Sequence, residues 1–137
     1  MSRKIAREEA VKLLYQMEMN GDFSEQTKNE YLKTNNFKED EVEYLNRVFE
    51  RLIEKLPVID SKIEKYSEGW KINRIAKVDL SILRLAIFEI MYMDDIPIEV
   101  SINEALEISK KYSTEESSKF INGLLGSFVK EWNDING

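Results

Sequence analysis

The chain has 137 residues, 42% hydrophobic and 34% charged, which predicts one ordinary globular domain over residues 1–137. It contains no cysteine and no histidine, so disulfides, thiol nucleophiles, Cys/His zinc sites and Ser-His-Asp chemistry are all excluded. A net charge of −6 argues against a protein that coats nucleic acid nonspecifically.

Apolar residues recur at helical spacing almost throughout, and both prolines, Pro57 and Pro97, follow helical patterns as stop signals, so the predicted fold class is all-α. The first helix is expected from about Arg3 to Met19, with Ala6, Ala10, Leu13, Leu14 and Met17 inward and Gly21 ending it. Arg3, Arg7, Val11 and Tyr15 form a stripe beside that face. A short helix over about Glu25–Lys33 precedes a strongly patterned one through Val42, Leu45, Val48, Phe49, Leu52, Ile53 and Leu56, which should stop at Pro57. A further helix is expected over about Val58–Tyr66, with "SEGWKIN" as its connector.

From Arg74 to Met93 apolar residues wrap nearly the whole circumference, the mark of a helix buried at the centre of a bundle. Lys77, Asp79, Arg84 and Glu89 within it rule out a membrane span, and "MSRKIAREEAVKLLYQ" has no secretory apolar core, so the expected location is the cytoplasm. In the last third, Ser101 with Glu104 and Ser113 with Glu116 read as capping boxes that start two helices. The total is about seven helices.

Charge is unevenly placed. Arg3, Lys4, Arg7 and Lys12 outweigh Glu8 and Glu9 near the start, and Lys110, Lys111, Lys119 and Lys130 outweigh Glu115 and Glu116 near the end. Gly123, inside an otherwise helical stretch, has two readings: a close crossing with Ala6 and Ala10 of the first helix, or direct contact with a ligand. The crossing would bring both basic ends into one surface.

Lys119 and Phe120, following Tyr112, have the cation-plus-aromatic character that suits single-stranded RNA, where phosphates are neutralised and unstacked bases find π faces. The competing reading makes Phe120 a core residue and Lys119 a solvated one. Glu116 could accept from a base amino group, cap a helix, or both. Tyr15 and Asp79 are candidates for a polar protein contact or ordinary partly buried residues. No phosphate loop, metal cluster or nucleophile motif is present, so no cofactor or metal is expected.

Three segments, "SRKIAREEAVKLLYQME", "KVDLSILRLAIFEIMYMDDIPIEVSINEALEISKKYS" and "SSKFINGLLGSF", together resemble the NusB family of bacterial transcription antitermination factors. The resemblance covers essentially the whole chain, with 22–66 the least distinctive part. It implies two packed helical bundles around the central apolar helix and no catalysis. It also implies binding to boxA-type RNA together with a small-subunit ribosomal protein, NusE, within an antitermination complex that helps RNA polymerase read through ribosomal RNA operons. The family's arginine-rich start corresponds to Arg3, Lys4 and Arg7, its second RNA-facing segment to Tyr112, Glu116, Lys119 and Phe120, and its NusE contacts to Tyr15 and Asp79. Ile5 stands where some relatives carry another arginine, and Glu116 where some carry aspartate.

On this reading, loss of Arg7 or Lys119 should lower RNA affinity without unfolding the chain. Two other readings belong to different classes: the accessory NusB-like domain of an RNA cytosine methyltransferase, and a structural helical module that forms a homodimer.

Overall fold

The computed structural model describes residues 2–136, which form α1 (Ser2–Asn20), α2 (Glu25–Thr34), α3 (Glu39–Tyr66), a 3-10 turn (Ile72–Arg74), α4 (Lys77–Tyr92), α5 (Ile98–Tyr112) and α6 (Glu115–Asn136). No strand occurs among the described residues. The all-α expectation holds, and the chain divides between Leu56 and Pro57 into two compact helical units.

In the N-terminal unit, α1 buries Ala6, Ala10, Leu13, Leu14 and Met17, the residues its periodicity singled out. It ends because Gly21 takes φ +63°, a left-handed conformation that only glycine adopts without strain. The Gly21 N–H then reaches the Glu18 carbonyl and the Asp22 N–H the Met17 carbonyl, satisfying two of the free acceptors at the helix end. Ser24 caps α2 by accepting from the Thr27 N–H at 3.2 Å. The first turn of α3 is held by Glu41, whose buried carboxylate accepts from the Lys38 N–H at 2.8 Å.

Pro57 does not stop α3, which corrects the expected break; six α-helices and one 3-10 turn stand among the described residues, close to the expected seven. Proline removes one backbone donor, and in a helix interior it costs about 3 kcal/mol relative to alanine. Ile59 and Ile63 beyond it are fully buried, and each gains about 1.5–3 kcal/mol by burial. Continuing the helix is therefore the favourable outcome.

In the C-terminal unit, the turn through Glu68 (φ 54°) and Gly69 (φ 93°) delays the central helix, which begins at Lys77 and not Arg74. Every residue of α4 from Asp79 to Ile90 is buried, with α5 and α6 packed against it. Its buried charges all have partners. Arg84 donates from Nε and Nη2 to the two carboxylate oxygens of Asp60, both at 2.8 Å. Glu89 accepts from the Ser101 hydroxyl at 2.7 Å.

That contact explains why Ser101 is not a cap. α5 starts earlier, with Pro97 at the N-cap, so Ser101 lies a turn inside and uses its hydroxyl to satisfy a buried carboxylate. Ile121, Leu124, Leu125 and Phe128 form the buried stripe of α6, with Phe120 and Trp132 half-buried at its edges. No helix among the described residues is long and apolar enough to cross a membrane.

Candidate nucleic-acid interface

The candidate residues fall into two clusters, one in each unit. In the N-terminal unit, Arg3 and Lys4 are exposed on the first turn of α1, and the Arg3 guanidinium lies 4.9 Å from the centre of the Tyr44 ring. Tyr44, buried on α3, is a cation shelf that sequence reasoning missed. Arg7 lies 6.0 Å from the same ring and is only 5% exposed. Its burial means that truncating Arg7 would remove packed side-chain surface as well as charge, so the variant reports on the fold as well as on RNA affinity. Val11 is buried too, so the predicted stripe surfaces only at Arg3 and at Tyr15, which is 38% exposed.

In the C-terminal unit, the cluster is built at the corner between α5 and α6. Tyr112 is the last residue of α5, exposed, with the Lys111 ammonium 5.3 Å from its ring centre. Ser113 and Thr114 make the connection. The predicted capping box is displaced by one residue: the Thr114 hydroxyl, not that of Ser113, accepts from the Ser117 N–H at 3.0 Å. Ser113 instead donates to Asp79 Oδ1 at 2.9 Å, tying the corner to the first turn of α4. Ser109 and Ser118 share a further hydroxyl contact at 2.6 Å across the same corner.

With Thr114 as the cap, Glu116 is released from that role and stands exposed on the first turn of α6. Lys119 follows, its side chain 77% exposed, with Glu115 3.9 Å away at the margin of an ion pair. Such a surface pair is worth well under 1 kcal/mol, so it leaves the ammonium available. Phe120 is half-buried, which joins both sequence readings: one edge belongs to the core and the other to the surface. Asp79 is 5% exposed and reaches this cluster through Ser113, a connection that spacing could not have shown.

At Gly123 a built Cβ would meet nothing within 4 Å, and the residue is exposed. It lines a groove of about 540 Å³ together with Lys119, Phe120, Tyr66 and Trp70. Among the described residues no carboxylate group has the arrangement of a metal site.

The α5–α6 corner is a presentation surface: the two helix ends there offer cations, aromatic edges and one carboxylate, with their backbones pinned by hydroxyls. The model of the NusB family matches residues 4–130. Transcription antitermination protein NusB of Alkaliphilus oremlandii is 50% identical over 131 residues, covering 96% of this chain and 95% of that protein. The protein of the same name from Acetivibrio thermocellus is 49% identical, covering 95% and 90%.

Among solved structures, NusB of T. maritima superposes with a TM-score of 0.85 at 38% identity, over 94% of this chain and 91% of that one. The antitermination factors NusB and NusE in complex with double-stranded RNA give 0.84 at 27% identity, over 95% and 97%. The chain belongs to the NusB family, whose members are non-catalytic transcription antitermination factors.

Proposed function

We propose that this chain binds boxA-type single-stranded RNA together with a small-subunit ribosomal protein, NusE, and in that complex supports read-through of ribosomal RNA operons by RNA polymerase in the cytoplasm. The observation that carries the reading is the α5–α6 corner, where Tyr112, Glu116, Lys119 and Phe120 are held at one rigid turn. Lys119 supplies a phosphate contact, Phe120 and Tyr112 supply ring edges for unstacked bases, and Glu116 accepts from a base amino group. Arg3 and Lys4 add phosphate contacts from the start of α1, with Arg7 stabilising that turn from beneath.

Tyr15 is the proposed ribosomal-protein contact, and the exposed Met19 one turn further on gives it an apolar neighbour. Asp79 would serve the same contact through the Ser113 corner that it holds. A homodimer through the Tyr15 face would compete with the ribosomal protein and would dissolve on its addition. The antitermination relatives are matched over at least nine-tenths of their own length, which favours this role over that of a methyltransferase accessory domain.

The test is titration of a boxA-type RNA, a scrambled RNA and a duplex control, each with and without the ribosomal protein. Preferential boxA binding that tightens with the ribosomal protein is expected. Lys119→Ala should weaken it and flatten the dependence of log K on log salt by about 0.7, the share of one single-strand phosphate contact. Equal binding of all three RNAs in both conditions would refute the reading.

A further inference from the structure

The segment "SEGWKIN" presents Trp70 in an unusual way. Tryptophan is among the more buried residues on average, yet Trp70 is 53% exposed. Its backbone, by contrast, is fixed. The Trp70 N–H donates to the Ser67 carbonyl at 3.2 Å. The hydroxyl of the fully buried Ser67 lies 2.5 Å from the Trp70 carbonyl and 3.0 Å from that of Glu64, donating to one of them at a time. Two residues further on, the Ile72 N–H donates to the Glu64 carboxylate at 2.8 Å. Glu68 and Gly69, both at positive φ, make the turn tight enough for this clamp. A large ring is thus held out from a rigid loop.

Trp70 lines the same groove as Phe120 and Lys119. The groove's volume of about 540 Å³ lies within the range of about 300–1,000 Å³ typical of ligand sites. Lys119 and Lys65 stand at its edges, the latter paired with Glu131, and Glu68 is the one acid in its lining. Gly123 contributes bare backbone to the wall, so the space a side chain would fill is left open. An aromatic platform, lysines and a gap in the wall, continuous with Lys119 and Phe120, fit a nucleobase better than an apolar peptide.

We propose that the groove takes one unstacked RNA base on the Trp70 indole, extending the RNA track from the α5–α6 corner across Gly123. The inference rests on the RNA-binding reading of Lys119 and Phe120. Trp70 is the stacking residue, Lys119 meets the adjoining phosphate, and Gly123 sets the width of the slot. Stacking of a base on an aromatic side chain is worth about 5- to 150-fold in affinity, as judged by alanine substitution.

The chain's other tryptophan, Trp132, stacks on Phe128 with ring centres 6.0 Å apart. Trp132→Phe therefore keeps a ring there and leaves Trp70 as the sole tryptophan. In that background, a fluorescein-labelled boxA-type single strand is titrated with two readouts, RNA anisotropy and tryptophan emission. Quenching that tracks the anisotropy is expected. Trp70→Ala should lose about 5- to 150-fold in affinity and Trp70→Phe much less. Gly123→Gln should fold with an undiminished melting temperature while losing at least about 5-fold, because its side chain enters the slot.

Affinity in Trp70→Ala within twofold of the parent overturns the groove while leaving RNA binding at the corner intact. Emission that responds to the ribosomal protein but not to RNA overturns it in favour of a protein contact. No RNA binding by either readout refutes the RNA reading itself and the groove with it.

Discussion

Replacing Gly123 by alanine decides between the two roles considered for this residue. Alanine is favoured over glycine in a helix interior by about 0.8–1.0 kcal/mol. The gain is realised only where the new methyl group meets no obstacle, and at Gly123 it would meet nothing within 4 Å. Gly126, also exposed on α6 with nothing within 4 Å of a built Cβ, is an internal control of the same chemistry. For 137 residues the entropy of unfolding is about 0.29 kcal/mol/K, so each substitution should raise the melting temperature by about 3 °C. The double variant should gain about 6 °C, since neither methyl group has a partner to share. Differential scanning calorimetry and urea unfolding measure both. A fall in the stability of Gly123→Ala beside a gain in Gly126→Ala would refute the open-groove account in favour of a close helix crossing at Gly123.

Three further predictions follow from contacts in the C-terminal unit. Ser113→Ala strips the donor from the buried Asp79 carboxylate and should cost about 1.5–3 kcal/mol in urea unfolding, with Asp79→Asn costing less because an acceptor remains. Arg84→Met alone leaves Asp60 uncompensated and should cost about 3–5 kcal/mol, whereas the double variant Arg84→Met/Asp60→Leu should recover most of it; equal losses in both would refute the pairing argument. Glu131 is held below its ordinary value of 4.5, first by the Lys65 ammonium and then by the Tyr66 hydroxyl. Its contribution is therefore complete above the unfolded carboxylate's range and disappears as pH falls through the folded value. The stability difference between the parent and Glu131→Gln should accordingly be constant near neutrality, shrink in acid and fade at high salt; thermal melts across an acid pH series measure it.

Helices were legible in the sequence wherever burial followed a single face. The inward residues of α1 and the all-round burial of α4 could be read directly from spacing, because both follow from the 3.6-residue period alone. The errors came where a residue's partner lies elsewhere in the chain. Pro57 looked like a stop because its cost is local, while the burial of Ile59 and Ile63 that offsets it is tertiary. Ser101 and Ser113 looked like caps because serine with glutamate three residues on is a local pattern. Their actual acceptors are Glu89 and Asp79, 12 and 34 residues away.

The candidate site shows the same division. Lys119, Phe120 and Glu116 could be chosen from residue type and neighbourhood, but the burial of Arg7 and the Tyr44 shelf depend on α3. Trp70 gave one usable signal, a tryptophan beside glycine in a polar connector. Its exposure follows from the Ser67 clamp, which has no signature in spacing.

The two-residue connection at Ser113 and Thr114 sets a limit on how this protein can vary in length. Each added residue advances a helix by about 100°. One insertion at the corner would swing Ile121, Leu124, Leu125 and Phe128 away from the core and carry Lys119 and Phe120 off their surface together. The four residues between α2 and α3 contribute no fully buried side chain and can absorb such a change. Insertions and deletions should therefore be tolerated at 35–38 and disruptive to the fold at 113–114, so that chain length at the corner, as much as residue identity, maintains the candidate surface.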